Sequence, residues 1–412
     1  MSVDRLVVVG ASLAGMRAAQ SARRAGFEGE LIVIGDEEHL PYTRPPLSKE
    51  LLAGAHEADR TALPGRDRFE ADWRLGTAAT GLDPARKVVV LADGEELAYD
   101  RLVLATGSRA REWPGEGAGL EGVFTLRRLE DALALKAAIG AGTHLAIIGA
   151  GFIGCEVAAT ATGLGAQVTL IDVAEHPLVP LGSRLGARWA ERHEQAGVAL
   201  RLGAGVSELA GRDGRFHAVR LSDGSEIEAD IALVALGVRL NTEWLAGSGL
   251  ELDRAGALVC DASLSTTDPD VLAAGDIASW PHPLAGGDRI RVEHWTTAAE
   301  HGALAGANAL LDPQEREAHI AAPFFWSDQY ELKIQAAGLP GAAGELVLIE
   351  HDPEGGRFVA AGARDGRLVG VVGVGAVSRI AWYRRQLDAG AAWADVVAAV
   401  AADEKALGPG EL

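Results

Sequence analysis

The chain holds only two cysteines in 412 residues, Cys155 and Cys260, and they lie far apart. There is no C-x-x-C and no metal-ligand cluster. These absences argue against a sequential redox dithiol, a structural zinc, a bound iron–sulfur cluster or any other metal site. Each cysteine reads as a small buried apolar residue. Basic residues are also scarce: 38 Lys and Arg against 58 Asp and Glu leave a formal charge of −20. That balance argues against nucleic acid or an anionic membrane as partner. No apolar run approaches the ~18 residues of a membrane span. The first ten residues, MSVDRLVVVG, enter a strand directly with no long apolar leader, so a cytoplasmic protein is expected.

What is abundant is small and apolar. Hydrophobic residues make up 48% of the chain and glycines number 52, a composition suited to tight α/β packing over more than one domain. The pattern centres on Leu145–Glu156, LAIIGAGFIGCE. A buried-strand run meets Gly149, Gly151 and Gly154 at G-x-G-x-x-G spacing, with Phe152 and Ile153 opening a helix. The first glycine allows the turn, the second lets the backbone approach a pyrophosphate, and the third lets helix and strand pack closely. The next strand ends in Asp172, whose carboxylate suits ribose hydroxyls and repels a 2′-phosphate, favouring NADH over NADPH. A second strand–turn–helix lies at Leu6–Gly15, LVVVGASLAG, with Gly10, Ala14 and Gly15 in register and Ser12 where a glycine is usual. Its following strand ends in Gly35-Asp36. Two dinucleotide sites imply two dinucleotides, and FAD with NAD is the economical pair.

The two halves repeat weakly: fingerprint, acid-ended strand, meander, then a strand ending in A-x-G. That last element is Ala105-Thr106-Gly107 in the first half and Ile231–Gly237 in the second. Between fingerprint and meander of the first half lies HLPYTRPPLSKELLAG. Pro45 and Pro46 forbid a helix before them, and Leu47 and Ser48 are expected to open one with Ser48 as cap. Lys49 would then sit in a first turn, a poor place for a cation, which suggests a partner elsewhere. Asp276, in LAAGDIA, is expected at a helix start, as cap or as ligand to a ribityl chain. The aromatic run Pro323–Tyr330 stands out in a chain of 5% aromatics and reads as core or as the wall of a planar ring.

With PYTRPPLSK, LVLATGSRAR, LRRLEDALAL, IIGAGFIGCEVAA, LAAGDIA, VEHWTTA and PFFWSDQY in order from Arg5 to Tyr330, the sequence resembles the FAD-dependent ferredoxin reductases of bacterial oxygenase systems. The resemblance implies an α/β fold of the glutathione-reductase type. An FAD-binding domain (1–111 and 239–317) would be interrupted by an NAD-binding domain (112–238) and followed by an α+β cap (318–412). It implies that Gly10, Ser12, Ala14, Gly15 and Asp36 hold the ADP part of FAD, with Ala105, Thr106 and Gly107 nearby. Arg44, Lys49, Arg127, Glu293, Trp295 and Trp326 would lie by the flavin, and Asp276 by the ribityl chain. Gly149, Gly151, Phe152, Ile153, Gly154, Asp172 and Gly237 would hold NADH.

The implied activity is hydride transfer from NADH to FAD and single-electron delivery to a 2Fe–2S ferredoxin that serves a haem-thiolate monooxygenase or a Rieske dioxygenase. A rubredoxin reductase, or a redox-gated binding protein of the apoptosis-inducing-factor type, is the alternative. A monomer or homodimer is expected. A thiol-dependent flavoenzyme is disfavoured, since Leu47-Ser48-Lys49 stands where it would need a cysteine. Lys49 is expected to pair with Glu156, two residues past Gly154, and to stabilise the anionic reduced flavin. Trp326 is expected to wall the nicotinamide side of the flavin. An acidic ferredoxin would need a local basic patch; Arg289, Arg291, Arg379, Arg384 and Arg385 are candidates, unless each pairs with a nearby acid.

Overall fold

The computed structural model describes residues 3–352, 356–403 and 405–407. The chain divides into two units, each assembled from three separate stretches. One comprises Met1–Thr43, Ala62–Arg109 and Leu240–Phe325; the other comprises Arg44–Thr61, Ala110–Arg239 and Trp326–Leu412.

The first unit is built on a five-stranded parallel sheet ordered Val271–Ala273, Arg101–Leu104, Arg5–Val9, Glu30–Ile34, Asp72–Arg74. Its central strands are continuous β-branched and leucine runs, as a sheet covered on both faces requires. In Arg5–Val9, Leu6, Val7 and Val8 are fully buried. The helix Leu13–Arg24 packs against Trp295–Asn308 so closely that a Cβ on Gly306 would fall 2.1 Å from the Ala18 carbonyl oxygen. This is the physical reason for the alanine- and glycine-rich sequence of both helices. A three-stranded antiparallel meander, Ala79–Asp83, Val88–Leu91 and Glu96–Ala98, belongs to the same unit.

The second unit repeats the plan. Its parallel sheet is ordered Val123–Phe124, Ile231–Val234, His144–Ile148, Gln167–Ile171, Ala199–Arg201. In each sheet the fingerprint strand is central, flanked on one side by the acid-ended strand and on the other by the strand that leads into A-x-G. An antiparallel meander, Val206–Arg212, Arg215–Leu221 and Glu226–Glu228, again follows.

The chain then forms a five-stranded sheet ordered Phe324–Gln329, Leu332–Gly338, Arg367–Val374, Arg357–Arg364, Val347–Asp352. The helices Val377–Asp388 and Trp393–Ala402 pack on it. Glu350, fully buried, accepts hydrogen bonds from Arg379, from the Tyr383 hydroxyl at 2.6 Å and from the Leu407 amide at 3.0 Å. The last described segment is thereby tied to the sheet. No helix among the described residues is long and apolar enough to cross a membrane.

Two local expectations are corrected. Pro45–Ser48 is a 3-10 turn with the two prolines at its start, and it ends rather than begins at Ser48. Proline at the first position is already set for a helical turn, so the turn starts there. Lys49 therefore caps a C-terminal end, where a cation is favoured. Asp276 lies inside the short 3-10 turn Gly275–Ile277 and not at the start of an α-helix.

Candidate functional site

Both glycine turns have the geometry of a nucleotide cradle. In the first unit Gly10 has φ +120°, and a Cβ there would fall 2.1 Å from the Ala105 carbonyl oxygen. A Cβ on Gly15 would fall 1.8 Å from the Gly10 oxygen. In the second unit Gly149 has φ +111° with a Cβ excluded at 2.4 Å by the Ala235 oxygen, and Gly154 is excluded at 2.0 Å by the Gly149 oxygen. These four positions admit only glycine.

The middle position of each fingerprint differs. Gly151 and Ser12 are both extended N-caps, with φ −75° and −107°, and neither uses a side chain to cap its helix. A Cβ on Gly151 would meet nothing within 4 Å. The protein itself leaves room for a side chain at this position, so Ser12 is accommodated. Neither helix carries an acidic residue in its first turn. The open N–H groups of Leu13–Arg24 and Phe152–Gly163 thus face whatever binds there, with the positive dipole end behind them. Phe152 is half-buried at the start of its helix and Ile153 is exposed beside it.

Asp36 is exposed two residues past Ile34. Asp172 is held: its carboxylate accepts the Ala150 amide at 2.6 Å and the Ala174 amide at 2.8 Å. Each of its oxygens used this way retains a lone pair for a ribose hydroxyl. The A-x-G turns complete each cradle. Thr106 and Asn241 exchange two hydrogen bonds, 2.7 Å from the Thr106 hydroxyl and 3.0 Å from the Asn241 amide, while Gly107 and Gly237 take φ +64° and +81°.

Elsewhere in the first unit, Asp276 is 8% exposed and accepts the Ser108 hydroxyl at 2.6 Å. A Cβ on the preceding Gly275 would come within 3.3 Å of the Ala14 Cβ, so this turn lies against the fingerprint helix. Trp295 opens the helix Trp295–Asn308, packs against the Leu13, Met16 and Leu63 cluster and donates its indole N–H to Thr43 Oγ1 at 3.2 Å. Glu293 is exposed and pairs with Arg291 at 2.7 Å.

The second unit holds a buried charge pair. Lys49 Nζ lies 2.6 Å from Glu156 Oε2, with side-chain exposures of 11% and 4%. The same oxygen accepts the Ser48 hydroxyl at 2.5 Å, and Glu156 Oε1 accepts the Ser327 hydroxyl at 2.6 Å. The Ser48 carbonyl is fixed by Thr160 Oγ1 at 2.8 Å, which fastens the PPLSK turn to the fingerprint helix. Arg44 donates to the Arg127 carbonyl at 2.7 Å, bringing those two together, and Trp326 is half-buried beside Ser327. Neither cysteine is a thiolate: burial pushes the Cys260 thiol up to about 12 and raises Cys155 well above its usual value, Glu156 and Asp172 adding to the latter.

The candidate docking arginines are largely occupied. Arg379 is 7% exposed and bound to Glu350 and Asp403. Arg291 pairs with Glu293, and Arg289 donates to the Cys260 and Ser279 carbonyls. Arg385 is exposed in the last turn of its helix. Sequence reasoning missed Asn241, Ser327, Gln329 and Trp189, and read Ser48 as a helix cap without its bond to Glu156. Ser327 and Gln329 alternate along the quoted FWSDQY run, a strand signal for one shared face. Trp189 gave no signal.

Two nucleotide cradles of one construction, in a chain with no available thiolate, define a two-dinucleotide flavoprotein oxidoreductase. A family described as pyridine nucleotide-disulphide oxidoreductase matches residues 4–302, and one described as reductase C-terminal matches 324–407. The chain is 37% identical to the ferredoxin–NAD(+) reductase component of the p-cumate 2,3-dioxygenase system of Pseudomonas putida, over 86% of each. It is 36% identical to the corresponding component of the biphenyl dioxygenase system of Paraburkholderia xenovorans (strain LB400), over 84% of each. A crystal structure of the covalent putidaredoxin reductase–putidaredoxin complex matches with a TM-score of 0.88 at 31% identity, over 94% of this chain and 93% of that one. The chain belongs to the pyridine nucleotide-disulphide oxidoreductase family, among its ferredoxin–NAD(+) reductases.

Proposed function

We infer that this protein is an NADH-dependent ferredoxin reductase that supplies an oxygenase through a 2Fe–2S ferredoxin. FAD, when bound, would supply the conversion of a two-electron hydride into two single-electron deliveries; the chain's residues bind, orient and charge the site. The observation that carries the reading is the pair of complete nucleotide cradles alongside two buried, protonated cysteines. Electrons entering from NADH find no thiol or disulphide of the chain to receive them, so the acceptor is external.

In this reading Gly10, Ser12, Ala14, Gly15 and Asp36 hold the ADP moiety of FAD, Ala105–Gly107 line its path, and Asp276 takes the ribityl chain. Trp295, Glu293, Arg44, Arg127 and Trp326 border the flavin. Gly149–Gly154, Asp172 and Gly237 hold NADH, and Lys49 with Glu156 sets the charge beside the reactive ring. The protein works in the cytoplasm as a monomer or homodimer.

The test is a panel of 2Fe–2S ferredoxins and a rubredoxin, reduced by the holoprotein with NADH or NADPH and followed in the visible iron bands. Reduction of a 2Fe–2S ferredoxin with NADH preferred is expected. Reduction of rubredoxin alone, or of none, overturns the reading. Asp172→Ser adds a specific expectation. It replaces the charged ribose acceptor with a neutral hydroxyl and removes the repulsion of a 2′-phosphate, so the NADPH:NADH ratio of kcat/KM rises by roughly 10-fold or more. An unchanged ratio means that Asp172 is not the selecting residue.

A further inference from the structure

Beyond the Lys49–Glu156 pair, a buried chain of polar groups runs through the second unit and ends on the same carboxylate. Trp189, on the helix Ser183–Gln195, places its indole N–H 2.6 Å from Gln329 Oε1. Gln329 Nε2 lies 3.1 Å from Ser327 Oγ, and Ser327 Oγ lies 2.6 Å from Glu156 Oε1. Ser327 is fully buried, and Gln329, Glu156 and Trp189 are 1%, 3% and 4% exposed.

The direction of each bond is forced. An indole N–H can only donate, so the Gln329 atom facing it is the carbonyl oxygen, and the amide nitrogen must face Ser327. The serine oxygen then accepts from Gln329, and its proton points to Glu156. All these groups donate towards one end. Glu156 therefore acts as acceptor towards Ser327 on one oxygen and towards Ser48 and Lys49 on the other. Three neighbouring groups, His193, Tyr330 and Cys155, are held in their neutral forms by burial, while Lys49, Asp172 and the Arg192–Glu331 pair supply the charges around them. Burial lowers His193, bonded to Tyr330 at 2.7 Å, to about 4, and burial raises both Tyr330 and Cys155.

We propose that Trp189, Gln329 and Ser327 form a one-way hydrogen-bond relay that fixes the orientation of Glu156 and, through it, the position of the Lys49 ammonium. These are positioning residues: none is asked to touch NADH or flavin. The relay joins the helix after the NADH cradle and the first strand of the C-terminal sheet to the charge pair. The inference rests on the reading that Lys49 acts on the flavin. Its physical basis is that a carboxylate with three fixed donors has one orientation, whereas one with a freed oxygen has several.

The experiment uses the FAD-loaded full chain and two readouts: the midpoint potential of the bound flavin, by dye titration, and the rate of flavin bleaching by NADH in stopped flow. Ser327→Ala is expected to lower the potential and slow bleaching on the order of 10-fold. Ser327→Thr, which keeps the hydroxyl, is expected to restore both. Gln329→Met, which removes the relay's middle at similar volume, is expected to act in the same direction, and the double variant to be no worse than the poorer single. Where Ser327→Ala does not accumulate folded, Gln329→Met carries the test.

Wild-type potential and bleaching in both Ser327→Ala and Gln329→Met overturns the relay, as does Ser327→Thr behaving like Ser327→Ala. Additive effects overturn it too. Neither readout involves ferredoxin, so failure to reduce any ferredoxin leaves this result standing. Unchanged potential in Lys49→Met sinks the underlying reading of the lysine and not the relay alone.

Discussion

Replacing Lys49 with methionine will slow reduction of the flavin by NADH by roughly 10²–10³-fold, the usual effect of removing one preorganised group facing developing charge. It will also lower the flavin's potential: in the proposed reading Lys49 lies beside the ring, and a cation there stabilises the anionic reduced form more than the neutral oxidised form. A second consequence must be separated from the first. Lys49 and Glu156 are 11% and 4% exposed, so removing the lysine alone strands a carboxylate in the interior. Loss of one partner from such a pair costs about 3–5 kcal/mol, whereas neutralising both is often near neutral. Lys49→Met will therefore melt at lower temperature than the wild type. Lys49→Met combined with Glu156→Gln will recover much of that stability while keeping the slow bleaching and the low potential. Stopped flow, dye titration and thermal melting distinguish these outcomes. Unchanged bleaching, potential and FAD content in the single variant would end the electrostatic role assigned to the lysine.

Lys49 also marks the boundary of what sequence reading reaches. The fingerprints were legible because their reasons are local. A strand that must stop, a turn that must reach positive φ and a helix that must touch its own strand all leave glycines at fixed spacing, and Gly149, Gly154, Gly10 and Gly15 sit within 2.4 Å of clashes that any Cβ would make. The discomfort of Lys49 was legible as well, although its expected setting was wrong: Pro45–Ser48 closes a turn before the lysine, and the lysine caps it. The prolines fix that turn by their own ring geometry, a stronger effect than the capping preference of Ser48. What sequence left unread is long-range. Trp189 reaches Gln329 across 140 residues, and Ser327 reaches Glu156 across 171, and no periodicity encodes either meeting. Arg379 shows the converse. A basic residue on an exposed-looking helix is consumed by Glu350 and Asp403, one of them fully buried in the sheet beneath.

Gly151→Val will separate binding of NADH from folding and from retention of FAD. Valine tolerates the extended backbone at this position, φ −75° and ψ −172°, and its Cβ would meet no protein atom within 4 Å. Stability and FAD content should therefore match the wild type. The added branches instead enter the open side of the turn, where the backbone N–H groups of the helix start are offered to a pyrophosphate. The apparent KM for NADH is expected to rise by about 10²-fold, since a pyrophosphate pushed off the turn loses charge-assisted hydrogen bonds worth roughly 1.5–3 kcal/mol apiece. Gly154→Val is the contrast: its Cβ would lie 2.0 Å from the Gly149 oxygen, so it should fail at folding before binding can be measured. The first cradle already carries a milder version of the experiment, because Ser12 occupies the equivalent extended cap without strain. In the proposed reading, side chains at this point of the turn are limited by the nucleotide and not by the fold. An unaltered KM for NADH in Gly151→Val would mean that NADH does not lie on the Gly149–Gly154 turn, and the assignment of the two cradles would have to be revised.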